Sequence, residues 1–522
     1  MNKTFKNKAL LSGAAWLALS TILLKFIGLI YKIPLSYTLG DEGMGYFNSA
    51  YTVYVFFYVI GTAGIPKAIS ILVSKKEAES PGDGYGVFRT AFAFFVVLGL
   101  FLLTLFIFFA EPLARSVGNI NSALAMYAVA PSVLFVCAGG VIRGYLSGKM
   151  KFAPIAISEL ITGVLKLVLG LALARLAIEL GKSLPTTAAF AIIGITIGSL
   201  VSLVFLMLVS SREKAKAKYC ASQRGTISDI LKIAVPITLA SAVTSAINIL
   251  DLTIIMNGLK NNGFEQSVAN ILYGNYTTLA VPMLSLVSTL ISPITTAILP
   301  ILASSYAQKN REEYSSNLSL ALTFTSFIAI PSGVVFAVFP QEILTVIFEE
   351  GSAVLGAAFL AALAPAILII GPLSVINTAL EATGKATAAF VSLSLGALVK
   401  LIVGVCLLNY TDFGVLSAPI GTSISYVISY ALSRIIFAHK SNVRVAILKP
   451  IFSPLLASSA SSFITLITLK LLDFTRTSRI SGMICIVVFG INYLAISLML
   501  SPKLRNTLFK CIKMNKKQIN HL

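Results

Sequence analysis

Long apolar runs separated by short polar stretches recur from one end of the chain to the other. Fourteen of them reach the ~20 residues that a helix needs to cross about 30 Å of hydrocarbon. They lie at roughly 9–33, 45–73, 88–110, 122–146, 153–177, 186–209, 229–257, 271–303, 316–339, 354–380, 386–408, 414–437, 450–471 and 480–500. The first follows Lys3, Lys6 and Lys8. It is longer than the apolar part of a cleaved signal and has no convincing cleavage site, so it is expected to stay as a span. The pattern predicts an all-α polytopic membrane protein, because only structures that satisfy every backbone polar group internally can cross lipid.

Composition agrees. Of 522 residues, 57% are hydrophobic and 11% charged, against about 25% charged in soluble proteins. That excludes both a soluble globular domain and a disordered chain. The five cysteines are scattered between spans and basic loops and make no disulfide framework. The two histidines, His439 and His521, lie in polar basic stretches, so neither histidine catalysis nor a histidine metal site is expected. A Walker A motif is absent: Gly181-Lys182-Ser183 has Leu176 where the first glycine would stand. No loop is long enough for a catalytic domain, and an enzyme is not expected.

The net charge of +20 could indicate nucleic acid, but its placement decides otherwise. With a cytoplasmic N-terminus, 28 of the 40 basic residues fall in inside segments, seven in outside segments and five within spans. The net charge is then +20 inside, −3 outside and +3 in the membrane. Positive-inside topology accounts for the whole excess. Both termini are expected in the cytoplasm, including the basic tail Lys503–Lys517.

The chain also repeats itself. Gly163-Val-Leu-Lys166-Leu-Val-Leu-Gly170 in span 5 matches Ala397-Leu-Val-Lys400-Leu-Ile-Val-Gly404 in span 11, each after a Gly-Lys pair. Six spans separate the copies, an even number, so both face the same way. This predicts two parallel six-helix lobes, 1–210 and 229–440, joined by a cytoplasmic linker at 211–228, with two further helices and the tail in 441–522. Parallel repeats of this kind occur in transporters, with the substrate bound between them. Prolines 34, 66, 131, 236, 282, 293, 300, 331, 365 and 372 lie in or at the ends of spans, where each bends a helix.

Charges at membrane depth are the candidate chemistry. A lysine at a helix centre costs about 2.5–3.5 kcal/mol on insertion scales, and such residues usually face a water-filled cavity. Lys25 and Lys32 in span 1, Lys67 in span 2, Lys166 in span 5 and Lys400 in span 11 are of this kind, with Arg143 at the end of span 4. Lys32 and Arg143 could instead snorkel to the interface. Lys166 could pair with Glu159, seven residues earlier on the same helix face, and Lys400 with Asp251. Glu159 and Asp251 are the intramembrane acids. A cavity richer in cations than in acids calls for an anion, and a phosphate or diphosphate needs several positive groups. Tyr46, Phe47, Tyr51, Tyr54, Phe56, Phe57 and Tyr58 in span 2 could stack in part on sugars, though packing accounts for most of them. Asp251, Asn377 and Glu381 offer oxygen ligands for a hard coupling cation such as sodium. No resident cofactor is expected beyond such Na+ or H+ coupling.

Three stretches carry a family resemblance: Gly40-Asp-Glu-Gly-Met-Gly-Tyr-Phe-Asn-Ser-Ala-Tyr51, Gly61-Thr-Ala-Gly-Ile-Pro-Lys67-Ala-Ile-Ser70 and Arg143-Gly-Tyr-Leu-Ser-Gly-Lys149. They resemble the polysaccharide-exporter branch of the multidrug/oligosaccharidyl-lipid/polysaccharide superfamily, which includes lipid II flippases. The resemblance implies a MATE-like, alternating-access flippase in the bacterial plasma membrane. It also implies an undecaprenyl-diphosphate-linked cell-wall precursor as cargo and spore cortex synthesis as the setting. Lipid II flippases carry essential basic residues in spans 1, 2 and 8. Lys25, Lys32 and Lys67 fall at or near those places in spans 1 and 2, whereas span 8 here carries no charge. The partners implied are a lipid-linked oligosaccharide and membrane lipids; the charge placement calls for no nucleic acid, and cell-wall synthases are the partners expected if the chain is a scaffold. A cation-coupled multidrug exporter of the same fold, an exporter of another lipid-linked polysaccharide and a non-transporting scaffold that recruits cell-wall synthases are the alternative readings.

Overall fold

The computed structural model describes residues 3–79, 84–214, 226–440, 448–472 and 478–500. Among them there is no strand. The helices are α1 (Lys3–Thr62), α2 (Ile65–Glu79), α3 (Gly84–Ser116), α4 (Ala123–Gly148), α5 (Phe152–Glu179), α6 (Leu184–Lys214), α7 (Thr226–Asn261), α8 (Gln266–Asn275), α9 (Val281–Ala307), α10 (Arg311–Val338), α11 (Pro340–Ile347), α12 (Glu350–Ala382), α13 (Ala386–Tyr410), α14 (Ser417–Lys440), α15 (Leu448–Leu471) and α16 (Arg479–Leu500). A π-helical turn, Tyr276–Ala280, joins α8 to α9.

Thirteen helical stretches among the described residues are long and apolar enough to cross a membrane. The first, Leu23–Glu77, has 55 residues. At 1.5 Å per residue it would be about 82 Å long, against about 30 Å of hydrocarbon. It folds back on itself at Gly40 (φ 64°, ψ 178°), a conformation that in practice only glycine adopts. The Tyr31 and Phe47 ring centroids lie 6.1 Å apart, where a straight helix would hold the two positions about 24 Å apart. This stretch therefore supplies two crossings, which brings the number to the expected fourteen.

The chain divides into two compact units, Met1–Thr278 and Leu279–Leu522. The first includes α7 and α8, which the sequence pattern groups with the second lobe. Most of the expected linker, at 215–225, and the basic tail, at 501–522, lie outside the described residues. The core of the first unit packs Ile69, Val73, Phe88, Phe95, Tyr145, Leu206 and Ile230 together. In the second, Leu302, Tyr314, Leu318, Val375, Ile376 and Phe437 form one cluster, and Phe339, Cys485, Phe489 and Tyr493 another.

The internal repeat has a packing counterpart in each unit. On α6, a Cβ at Gly194 would stand 2.6 Å from the Gly170 nitrogen and 3.0 Å from the Lys166 carbonyl of α5. On α14, a Cβ at Gly421 would stand 3.7 Å from the Gly404 nitrogen and 3.2 Å from the Lys400 carbonyl of α13. Small residues let membrane helices approach closely where lipid supplies no hydrophobic drive between them. Lys166 and Lys400 thus hold equivalent places beside a tight glycine crossing. Prolines interrupt helices at 34, 112, 131, 236, 293, 300, 331, 365, 372 and 454. Pro66 and Pro282 stand instead in first turns, where the missing N–H costs nothing.

Candidate functional site

The three stretches that carry the resemblance fold together in the first unit. Gly40 makes the turn that begins the first of them. A Cβ at Gly45 would collide with the Asn270 carbonyl, so glycine is what lets α8 lie against α1. Asn48 Nδ2 donates to Thr278 Oγ1 at 2.9 Å, and Ser49 Oγ accepts from Asn119 at 2.8 Å. Asn119 Nδ2 also donates to Asn270 Oδ1 at 2.7 Å. These buried amides tie α1, α8 and the loop before α4 into one network, each group satisfied by another.

The second and third stretches pack on each other. A Cβ at Gly144 would stand 2.8 Å from the Pro66 carbonyl, and one at Gly148 2.8 Å from Val73. Ser70 Oγ donates to Ser147 Oγ at 3.2 Å, and Ser74 Oγ to the Gly148 carbonyl at 2.9 Å. Lys149 closes this seam, with Nζ 3.4 Å from Glu77 Oε1 and 4.9 Å from the Tyr145 ring centroid. Burial works against the Lys149 charge, but the Tyr145 hydroxyl and the Glu77 carboxylate outweigh it and hold the pKa above the ordinary lysine value.

With α2 and α4 held in this way, Arg143 is carried to the edge of a cavity of about 390 Å³ among α1, α4, α5 and α6. Among the described residues its charged lining is Lys25, Arg143, Glu159 and Lys166, three cations to one acid, and Tyr31, Tyr54, Tyr58, Thr162, Ser199 and Ser202 add polar groups. Arg143 Nε and Nη2 each reach a serine oxygen at 3.4 Å, on Ser158 and Ser202 respectively. Both serines already donate their own protons, Ser158 to the Ile155 carbonyl at 2.7 Å and Ser202 to the Ser158 carbonyl at 2.8 Å. Their oxygens are therefore presented as acceptors that aim the guanidinium. A guanidinium carries five N–H donors, so Arg143 keeps donors for a ligand.

Lys166 is placed by aromatic faces. Its Nζ lies 4.7 Å from the Tyr51 ring centroid and 5.1 Å from that of Tyr31, within the range of cation–π attraction. Among the described residues, no ion pair within 4 Å joins Lys166 or Arg143 to Glu159, so the carboxylate stands in the cavity beside the cations without closing on one. The span-2 aromatics divide between two roles. Phe47 stacks on Tyr51 at 6.1 Å and Phe57 on Phe106 at 4.3 Å, whereas Tyr54 and Tyr58 line the cavity.

The other sequence candidates lie elsewhere. Lys32 is outside the cavity lining. Its Nζ donates to the Thr277 carbonyl at 2.9 Å, within the π-turn, and it is near enough to Lys166 for the two charges to repel. Lys67 is exposed near the start of α2. Lys400 belongs to the second unit, where its charge acts on Tyr426. Asp251 is half-buried on α7 of the first unit, and Asn377 and Glu381 lie on α12 of the second. Asn377 is buried and its Oδ1 accepts from Ser433 at 2.8 Å, while Glu381 is exposed near the end of α12. Among the described residues no group of three or more His, Cys, Asp or Glu could hold a metal ion. Sequence reading did not single out Tyr31, Ser158 or Ser202. The available signal was small polar residues inside apolar spans, which mark helix contacts and buried polar groups.

Comparison with known proteins gives this geometry its family. Residues 10–306 match the model described as polysaccharide biosynthesis protein, and residues 277–406 match that named MatE. Stage V sporulation protein B of Bacillus subtilis (strain 168) is 25% identical over 423 residues, 78% of this chain and 80% of that protein. Lipid II flippase MurJ of the same organism is 20% identical over 443 residues, 80% of this chain and 81% of that one. A solved structure of lipid II flippase MurJ in an inward closed conformation superposes with TM-score 0.68 at 19% identity, covering 94% of this chain and 99% of that one. An inward-facing multidrug resistance transporter of the MATE family gives 0.62 at 14% identity, covering 81% and 96%. The chain belongs to the polysaccharide biosynthesis protein family, within the superfamily that joins MATE transporters to flippases of lipid-linked precursors.

Proposed function

We propose that this protein is a flippase that moves an undecaprenyl-diphosphate-linked cell-wall sugar, of the lipid II kind, from the inner to the outer leaflet of the bacterial plasma membrane. One observation carries the reading: at membrane depth, Lys25, Arg143 and Lys166 share one cavity with one acid, Glu159, among the described residues. A diphosphate satisfies several cations at once. A drug cation would meet net repulsion there, which disfavours multidrug export. Capture then proceeds from the charge pattern. Arg143, aimed by Ser158 and Ser202, offers a directional fork, and Lys25 and Lys166 act as point charges. Tyr54 and Tyr58 present rings on which a sugar can lie, while the polyprenyl tail stays in the bilayer. Glu159 competes with the phosphates for the cations and so favours release.

In this reading movement is by alternating access, with both termini in the cytoplasm, and an Na+ or H+ gradient supplies the drive. Asp251, Asn377 and Glu381 remain the proposed coupling residues. The Asn377 carbonyl oxygen has a second lone pair beyond the one Ser433 uses. Lys32, Lys67 and Lys400 are proposed to meet the cargo along its path, and the setting proposed is spore cortex peptidoglycan, next to the synthases that consume the sugar. The test is binding of purified protein to lipid II, undecaprenyl phosphate and a neutral glycolipid at two salt concentrations. The reading expects tight, salt-sensitive binding of lipid II that Lys25→Gln and Arg143→Gln abolish. Equal binding of all three lipids would overturn it.

A further inference from the structure

A second cavity, of about 540 Å³, opens on α3 away from the cation-rich one, lined by Gly86, Arg89, Thr90, Ala93, Phe94, Val97 and Ile227. The α3 positions fall at intervals of three and four, so they form one stripe on one helix face. The neighbouring face is committed to the core through Val87, Phe88, Ala91 and Phe95. From Gly86 to Val97 the stripe runs about 16 Å at 1.5 Å per residue. It is polar at one end only, where Arg89 and Thr90 stand, and apolar from Ala93 to Val97. Ile227, in the first turn of α7, forms the other wall.

Arg89 is exposed and sits about one and a half turns inside α3, at the edge of the membrane-crossing part. Among the described residues it makes no hydrogen bond and no ion pair. Arg115, at the other end of the same helix, is by contrast held by Glu111 at 2.6 Å. An arginine at the interface, with no acid among the described residues that line the groove and an apolar channel leading from it into the hydrocarbon, has the layout of one ligand. That ligand has an anionic head that takes a bidentate guanidinium and a chain that fills the channel. A soluble anion would have no use for the channel, and a zwitterionic lipid would gain less from Arg89.

We propose that this groove is a binding site for an anionic glycerophospholipid, with its phosphate on Arg89 and Thr90 and an acyl chain along Ala93, Phe94 and Val97. A bound lipid would wedge α3 against the start of α7, the helix that follows the long basic stretch 211–225. The site is independent of the flippase reading and stands if that reading fails.

Fluorescence tests it, since the chain has a single tryptophan, Trp16. In a Trp16→Phe, Val97→Trp protein reconstituted in neutral lipid, brominated phosphatidylglycerol and brominated phosphatidylcholine are titrated separately and quenching is read. One basic contact near the surface corresponds to about fivefold selectivity for the anionic lipid. Adding Arg89→Gln should abolish that selectivity, and adding Ala93→Phe, which fills the channel, should weaken quenching by phosphatidylglycerol. Thermal melting of each variant checks that it folds. Equal quenching by the two lipids, or selectivity that survives Arg89→Gln in a folded protein, would overturn the site.

Discussion

Replacing Lys166 by methionine separates a structural cation from a cargo-binding one. Methionine keeps the unbranched stem and removes the charge. The structural loss is attraction to two tyrosine faces at 4.7 and 5.1 Å, about 0.5–2 kcal/mol each. Against it stands the cost of holding an ammonium at membrane depth, about 2.5–3.5 kcal/mol on insertion scales. The two offset, so Lys166→Met should leave the melting temperature within a few degrees of wild type. Binding should behave differently. A hydrogen bond to a charged partner contributes about 1.5–3 kcal/mol, so the diphosphate-lipid dissociation constant should rise about ten- to 150-fold, with a shallower salt dependence. Lys166→Arg, which restores the charge, should recover most of it. The assay is titration of labelled lipid II into nanodisc-held protein at two salt concentrations, with melting measured on the same samples. Affinity unchanged within about threefold together with a clear fall in melting temperature would make Lys166 a cation held for packing and not for cargo.

Four further outcomes follow from the same geometry. Glu159→Gln removes the acid that stands among the cavity's cations, so lipid II should bind about tenfold more tightly or better while transport slows; weaker binding would make Glu159 a ligand for the sugar instead. The double change Ser158→Ala, Ser202→Ala frees Arg143 without touching its charge, and should weaken binding several-fold, by about 1 kcal/mol, with the salt dependence retained. Gly40→Ala forces a side chain into φ 64° and should destabilise the first hairpin by about 1–3 kcal/mol, read as a lower melting temperature. The Lys149 pKa is raised, so its ion pair contributes fully below the ordinary lysine value and is lost as pH rises through the folded one; the melting gap between wild type and Lys149→Met should persist at neutral pH and close only in strong alkali.

Much of the fold is legible in the sequence because lipid imposes one rule on every span. The fourteen apolar runs become helices since nothing else satisfies a backbone in hydrocarbon. The Lys166 and Lys400 strings are recognisable as a repeat because each stands beside the same glycine crossing. The π-turn at Tyr276–Ala280 and the short α11 leave no such periodic trace. Nor does the extent of the first unit, because the packing of α7 and α8 with α1 is a tertiary outcome. The site was partly visible. Lys25, Arg143 and Lys166 stand out as charges at membrane depth, and they line one cavity. What could not be read is pairing. Glu159 and Lys166 share a helix face seven residues apart, yet the two tyrosines reach the ammonium from another helix. Ser158 and Ser202 look like ordinary small residues until the fold sets them beside Arg143.

A flippase that takes its cargo by these cations is revealed by the movement of that cargo. Purified protein is placed in liposomes with a fluorescent undecaprenyl-diphosphate disaccharide on one leaflet, and arrival on the other is read by a membrane-impermeant quencher. Transfer should run well above that in protein-free liposomes, should be abolished by the triple change Lys25→Gln, Arg143→Gln, Lys166→Gln in a protein that still melts cooperatively, and should not occur for a neutral glycolipid. Transfer that the triple variant sustains, or equal transfer of the neutral lipid, would contradict it.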